Sequence, residues 1–191
     1  LGALTVINML SSLSVMSHLL IAFIILITAI YVNQALINKE MDKNILWWKY
    51  LLSIPLSLTL VQSVIGVRLS STWSAHLCLS MNQNCIVLNS HKLFAIPVFI
   101  SVISIILVSF LKFDLFKNNW KFLISAFLLL ISQITLGVLS LKTNLNEPLI
   151  IISHQIVASL MVATLSTLIF KNSSENILIN STKNNVILSF N

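Results

Sequence analysis

Three histidines occupy repeated positions in this sequence, each near the start of a long apolar run. His18, His91 and His154 each follow a serine directly. A similar phrase with one glycine precedes each of them, and these glycines are Gly2, Gly66 and Gly137. An ionisable ring inside an apolar segment is costly, and it marks a functional site by default. Repeated segments predict equivalent helices, so we expect these imidazoles to converge in pairs at one depth.

Paired imidazoles that face each other across a helix bundle are typical axial ligands of a b-type haem. A structural zinc site is less favoured, because it requires four ligands with thiolates or carboxylates close by. Any one histidine near a membrane interface could also be an ordinary interfacial residue. The threefold repetition favours the haem interpretation.

Other polar and small residues of the repeat have two interpretations each. The glycines predict close approach by either a neighbouring helix or the ring of a cofactor. Gln62 and Gln133 lie one helical turn before two of these glycines, and could bond a haem propionate or a neighbouring helix. Arg68 and Lys92 stand where haem propionates would need a cation, and interfacial anchoring is the alternative.

The composition predicts the elements that position these residues. Apolar residues make up 57 % of the 191 residues and charged residues 8 %, and the mean hydropathy is +0.98. A membrane-spanning helix needs about 20 mostly apolar residues, and backbone groups in lipid must be satisfied within the helix. The sequence therefore predicts an all-α polytopic membrane bundle, with spans at 16–37, 46–69, 93–111, 122–141 and 149–170 and the end of a sixth at 1–10.

The charges predict an orientation. Following successive spans, one side of the membrane receives Lys39, Lys43, Lys49, Lys112, Lys117, Lys121, Lys171 and Lys183. The other side receives Arg68, Lys92 and Lys142. The positive-inside rule assigns the first set to the cytoplasm or matrix, and all four histidines to the outer side. The net charge of +6 therefore does not indicate a nucleic-acid partner, because no basic soluble surface is predicted.

Both cysteines of the chain, Cys78 and Cys85, fall in the predicted outer loop together with His76. Two thiols this close in an oxidising compartment can close a small disulfide. The pair is either a plain loop staple or a redox-active or haem-handling pair, since the loop leads directly to His91.

This order of features resembles haem A synthase, the membrane enzyme that converts haem O to haem A for cytochrome oxidase. The shared features are a glycine-containing helix end, a short outer loop, a Ser-His helix start and a cysteine pair before one histidine. The resemblance covers residues 1–170, and 133–159 is its most specific part. The loop 73–85 with residues 91–95 is similar to the cyanobacterial type. Family members have eight helices in two four-helix halves.

The resemblance implies a role for each candidate residue. His91 and His154 correspond to the ligands of haem b in the C-terminal half, and His18 to a histidine of the half that binds haem O. Its partner histidine and the catalytic acid would lie on a helix absent from this sequence, so no catalytic residue is assigned. We therefore expect an N-terminally truncated member: a remnant of the substrate half (1–44), the C-terminal four-helix haem b half (45–170) and a polar inner tail (171–191).

The implied reaction oxidises a methyl group of haem O to a formyl group, with electrons leaving through haem b. The implied partners are haem O, haem O synthase or cytochrome oxidase assembly factors, and the lipid bilayer; a homo-oligomer is compatible with the sequence. The expected location is the bacterial plasma membrane, with the mitochondrial inner membrane as the alternative. The fragment alone is expected to be inactive in this conversion.

Three alternatives stay open. A dihaem electron-transfer cytochrome of the b561 type has similar helices and histidines, but usually places its ligands on both membrane sides. A disulfide-generating membrane oxidoreductase would need a Cys-x-x-Cys pair near a quinone. A channel or scaffold with chance histidines is the remaining class.

Overall fold

Five long helices form nearly all of the described part of the protein. The computed structural model describes residues 11–37, 46–70 and 85–171. The helices are α1 (Ser12–Ile37), α2 (Leu46–Ser70), α3 (Ile86–Leu111), α4 (Phe113–Lys142) and α5 (Pro148–Phe170). Each contains a segment long and apolar enough to cross a membrane. The prediction of an all-α fold with membrane-spanning helices is thus confirmed, whereas the predicted domain boundaries stay predictions.

α1 begins at Ser12 instead of residue 16, and two further helices begin at least seven residues earlier than the hydropathy pattern predicts. α3 begins at Ile86 instead of residue 93, and α4 begins at Phe113 instead of residue 122. Polar residues lie between these starts and the predicted ones, such as Asn89 and Ser90 in α3 and Lys117 and Asn118 in α4, and hydropathy alone does not detect such segments. Only Lys112 separates α3 from α4, and its N–H donates to the carbonyl oxygens of Val108 and Ser109, both at 3.2 Å. Because α3 begins at Ile86, His91 lies within its regular second turn.

The helices α2 to α5 form a closed ring. α2 packs against α3, α3 against α4, α4 against α5 and α5 against α2, while α1 packs outside the ring against α2 and α5. Among these described helices, α3 does not pack against α5, nor α2 against α4. The members of each of these two pairs therefore lie diagonally across the bundle. The centre of such a four-helix bundle is where facing helices can hold a ligand.

One end of this ring is filled by a packed core. Its side chains come mainly from the first halves of α2 and α4 and the second halves of α3 and α5, and are Trp48, Leu52, Val102, Ile105, Leu123, Ala126, Leu130, Met161, Leu165 and Leu168. Large apolar side chains elsewhere, such as Leu128 and Leu160, are exposed on the outside of the helices. That is expected where lipid surrounds a bundle, because lipid tails are as apolar as a leucine side chain.

We expect Leu165→Ala to lower the free energy of unfolding by about 2 kcal/mol or more, because it opens a cavity among tightly packed neighbours. Leu165 is fully buried, whereas Leu160 on the same helix is 49 % exposed. Leu160→Ala is therefore the matched control, and should cost much less. Denaturant unfolding in detergent micelles measures both, and equal losses would contradict the location of this core.

Candidate ligand site between two histidines

His91 and His154 face each other across the bundle. His91 lies in the second turn of α3 and His154 in the second turn of α5. Their ring centroids are 6.4 Å apart, with 65° between the ring planes. An imidazole nitrogen binds a metal at about 2 Å, and the ring centre lies roughly 1 Å further away, so two rings on opposite sides of one ion have centroids about 6 Å apart. The observed separation therefore fits a single metal ion between the two rings.

Glycines on the preceding helices provide the space for both rings. A Cβ atom added at Gly66 would lie 3.0 Å from Cε1 of His91, and one at Gly137 would lie 3.2 Å from Cε1 of His154. Both distances are tighter than ordinary van der Waals contact. The sequence left open whether a helix or a cofactor ring approaches these glycines. In the structure, the imidazole of the following helix does so.

Two glutamines contact the same imidazoles. The Nε2 atom of Gln62 lies 3.1 Å from Nδ1 and 3.3 Å from Nε2 of His91, and it donates to the main-chain oxygen of His91 at 2.8 Å. The Nε2 atom of Gln133 lies 3.1 Å from Nε2 of His154. Residues four apart share a helix face, so α2 and α4 each present a glutamine and a glycine to one histidine. The pairs α2–α3 and α4–α5 are therefore two copies of one local arrangement.

A five-residue connection holds the second copy together. Between α4 and α5, Asn144 and Leu145 adopt left-handed backbone angles, with φ of 53° and 59°. This region is unfavourable for a bulky residue such as leucine. The N–H of Leu145 donates to the carbonyl oxygen of Ser140 at 2.9 Å, and Leu145 also lines the cavity described next. The tight turn fixes the position of His154 relative to α4.

The histidines line a cavity of about 310 Å³ at the end of the bundle opposite the packed core. Its volume is at the lower end of the range of ligand-binding cavities, about 300–1,000 Å³. Ala95 and Ala158 line it one helical turn after His91 and His154. α1 contributes Leu19 and Phe23. A mostly apolar cavity with a few convergent polar groups is typical of a small-molecule or cofactor site.

Several buried polar atoms of this site have no hydrogen-bond partner. Within the described residues, the buried side-chain atoms of this kind are Gln62 Oε1, Gln133 Oε1, His154 Nδ1 and Ser166 Oγ. Leaving such an atom unsatisfied costs about 1–3 kcal/mol. Three of the four atoms belong to the residues that surround the cavity. The site thus has unused hydrogen-bonding capacity in the residues that surround its two imidazoles.

No third histidine and no cysteine, aspartate or glutamate joins the two histidines in the part of the chain that the structure describes. A metal ion held by His91 and His154 would therefore take its remaining ligands from a bound molecule or from water. A planar molecule with four metal-binding nitrogens would supply them between the two rings.

The other predicted residues lie at different distances from the cavity. Lys92 is exposed and lines the cavity. Arg68 is exposed in the last turn of α2, and is not among the lining residues. His18 is exposed on α1, and the structure does not bring it to the histidine pair.

The predicted disulfide stays a prediction. Cys85 directly precedes α3, but Cys78 lies outside the described residues. Gly2 and His76 also lie outside them.

The sequence did not predict that Ala95 and Ala158 line the cavity, or that α1 contributes to its lining. Ala95 and Ala158 share a detectable signal, because each follows its histidine by four residues in both copies of the repeat. Leu19 and Phe23 are also four residues apart, directly after His18. No sequence signal indicates the left-handed backbone of Leu145.

We expect Gly66→Val to lower the free energy of unfolding by about 1–3 kcal/mol, because the new side chain overlaps the ring of His91. Thr135→Val is the control, since Thr135 is exposed on α4 and the substitution places the same valine side chain in a helix without a clash, at the loss of one hydrogen bond to the carbonyl oxygen of Ile131. Thermal unfolding in detergent compares the two variants with the parent. A stability loss no greater in Gly66→Val than in Thr135→Val would show that His91 does not occupy this space.

Comparisons of the chain with protein-family models, with curated proteins and with solved structures found no match in any of the three. The choice of a ligand therefore depends on the geometry of the site and on the pattern of the sequence.

Proposed function

We propose that this chain is a membrane-embedded haem b protein in which His91 and His154 provide the two axial ligands of the iron. The observation that carries the proposal is the separation of 6.4 Å between two imidazole rings on diagonal helices. Two neutral imidazoles on opposite faces of a haem hold its iron in six-coordinate form.

Three further features support a porphyrin over a bare metal ion. Among the described residues no further histidine, cysteine or carboxylate joins the two histidines, and a porphyrin supplies four nitrogen ligands. The cavity is mainly apolar, and Ala95 and Ala158 keep side-chain volume small beside the rings. Lys92 lines the cavity and offers a cation for a propionate.

The roles of the chain's own residues follow from this arrangement. His91 and His154 would hold the iron of a bound haem, and would thereby leave no coordination position for a substrate. The apolar lining excludes water, and Gly66 and Gly137 set how closely α2 and α4 approach the rings. When bound, haem b supplies one-electron transfer.

We further propose that this electron transfer serves haem A synthesis, with this chain as the cofactor half of the enzyme. The support is the resemblance of residues 1–170 to that family. In this proposal a methyl group of haem O is oxidised to a formyl group at a second position, which involves His18 on α1. Water supplies the formyl oxygen, four protons are released, and four electrons leave one at a time through the His91–His154 site to an electron acceptor. Haem O synthase or cytochrome oxidase assembly factors would be the partners.

The charge bias of the sequence supports an orientation for this site. The end of α2, the start of α3 and the connection from α4 to α5 lie at the cavity end, whereas the described lysines Lys49, Lys112, Lys117, Lys121 and Lys171 lie at the other end. We propose that the cavity faces the outer side of a bacterial plasma membrane, with the mitochondrial inner membrane as the alternative.

A simple electron-transfer cytochrome is the second candidate. His18 is exposed and is not brought to another histidine within the described residues. A single bis-histidine site at one end of a bundle is sufficient for electron transfer without any conversion of haem O.

We expect the chain, purified from cells supplied with haem, to carry one haem b with the optical spectrum of a six-coordinate low-spin iron. His91→Ala and His154→Ala should each lower haem retention about tenfold or more, because each removes one axial ligand. His18→Ala is the matched control, and should keep the parental spectrum. A His154→Ala variant with an unchanged spectrum would contradict the proposed ligand pair.

We expect the 191-residue chain alone not to convert haem O to haem A, because within the described residues no second histidine is brought to His18, and a substrate haem would have only one histidine ligand there. The measurement is haem A content in cells that lack their own synthase and express this chain, with a complete synthase as the positive control. Haem A produced by the chain alone would show that the proposed division between substrate and cofactor halves is wrong.

A further inference from the structure

Gln62 and Gln133 have a contact pattern that the haem proposal does not yet use. Each glutamine directs its amide nitrogen at a ring nitrogen of a histidine, at 3.1 Å. Each also buries an amide oxygen that accepts no hydrogen bond. Two independent copies of the repeat show the same pair of features. A role in helix packing alone would not require either of them.

The direction of these hydrogen bonds matters for metal binding. An amide N–H that points at an imidazole nitrogen occupies the lone pair of that nitrogen. A metal-bound histidine has the opposite requirement, because its second nitrogen carries a proton and donates it to a carbonyl, carboxylate or water. A 180° flip of the glutamine side-chain amide (a half-turn) exchanges the positions of its nitrogen and oxygen atoms, which are similar in size. The buried oxygen would then accept the ring N–H.

We infer that Gln62 and Gln133 are positioning residues that hold His91 and His154 as metal ligands by accepting the second ring N–H through their amide oxygens. This inference rests on the proposed haem function. It gives a partner to both of the buried amide oxygens that have none. It also explains why a glutamine precedes each glycine by one helical turn, since the glycine brings the ring within reach of the amide.

The two glutamines are not equivalent. Gln62 also donates to the main-chain oxygen of His91 at 2.8 Å, and it would give up this bond in the half-turn. Gln133 has no such bond to its histidine within the described contacts. We therefore expect the substitution of Gln133 to have the larger effect.

The test uses the full chain purified with haem b. Gln62→Met and Gln133→Met keep the side-chain size and remove the amide, whereas Gln62→Glu and Gln133→Glu supply a stronger acceptor. Gln34→Met on α1 is the control, because Gln34 does not line the cavity. The measurements are haem retention on dilution and the midpoint potential of the bound haem, with thermal unfolding to check that each variant is folded.

We expect the Met variants to retain haem about 10–100-fold less tightly, as is typical when a second partner of a metal ligand is removed. The haem that remains should have a higher midpoint potential than the parent. The Glu variants should have a lower midpoint potential, because a carboxylate acceptor makes the imidazole more basic and stabilises the oxidised iron. Loss of packing alone would not shift the potential in opposite directions.

Parental haem retention and parental potentials in the folded Met and Glu variants would overturn the inference, and so would shifts in the same direction in both. If His91→Ala and His154→Ala still lose haem in that case, the haem proposal stands and only the role of the glutamines is wrong. If the parent chain binds no haem, the proposed function is wrong and this inference falls with it.

Discussion

The close approach of two imidazoles at the centre of a helix bundle is the constraint on which the rest of this structure depends. His91 and His154 are on α3 and α5, which lie diagonally and do not pack against each other. Both rings must therefore reach into the centre past α2 and α4. Gly66 and Gly137 allow this, since a Cβ atom at either position would press against a ring. The positions of four helices are thus coupled to two side chains.

This arrangement divides the bundle into two ends with different physical properties. At one end, leucine, isoleucine and methionine side chains pack tightly and stabilise the bundle. At the other end, a cavity of about 310 Å³ contains polar atoms without partners. Unsatisfied polar groups in an apolar environment are costly, so the packed end must compensate for the open one. A buried polar cluster of this kind is typical of a functional site.

Much of this arrangement could be predicted from the sequence because it depends on periodic patterns. Hydropathy predicted the five helices, and the repeated Ser-His positions singled out His91 and His154. The same repetition also singled out His18, which the structure leaves exposed and apart from the pair. Position in a repeat indicates where a residue lies along its helix, but the contacts of the helix determine what it faces.

Other features could not be predicted because they depend on neighbours in space. Hydropathy responds to lipid-facing residues, so it missed the first residues of α3 and α4, where polar residues such as Asn89 and Asn118 follow the starts at Ile86 and Phe113. The sequence singled out Gln62 and Gln133 without a choice of partner, and only the packing of α2 on α3 and of α4 on α5 shows that each contacts a histidine. The left-handed angles of Leu145 come from the tight turn, and leucine itself does not indicate them.

The central claim is that His91 and His154 together bind one iron. Electron paramagnetic resonance of the oxidised, purified chain measures this most directly, because the signal of a low-spin haem iron reports its axial ligands. We expect one signal per chain with two imidazole ligands, which is lost when either histidine is replaced by alanine. A chain that binds no haem, or a bis-imidazole signal that persists in His91→Ala, would contradict it.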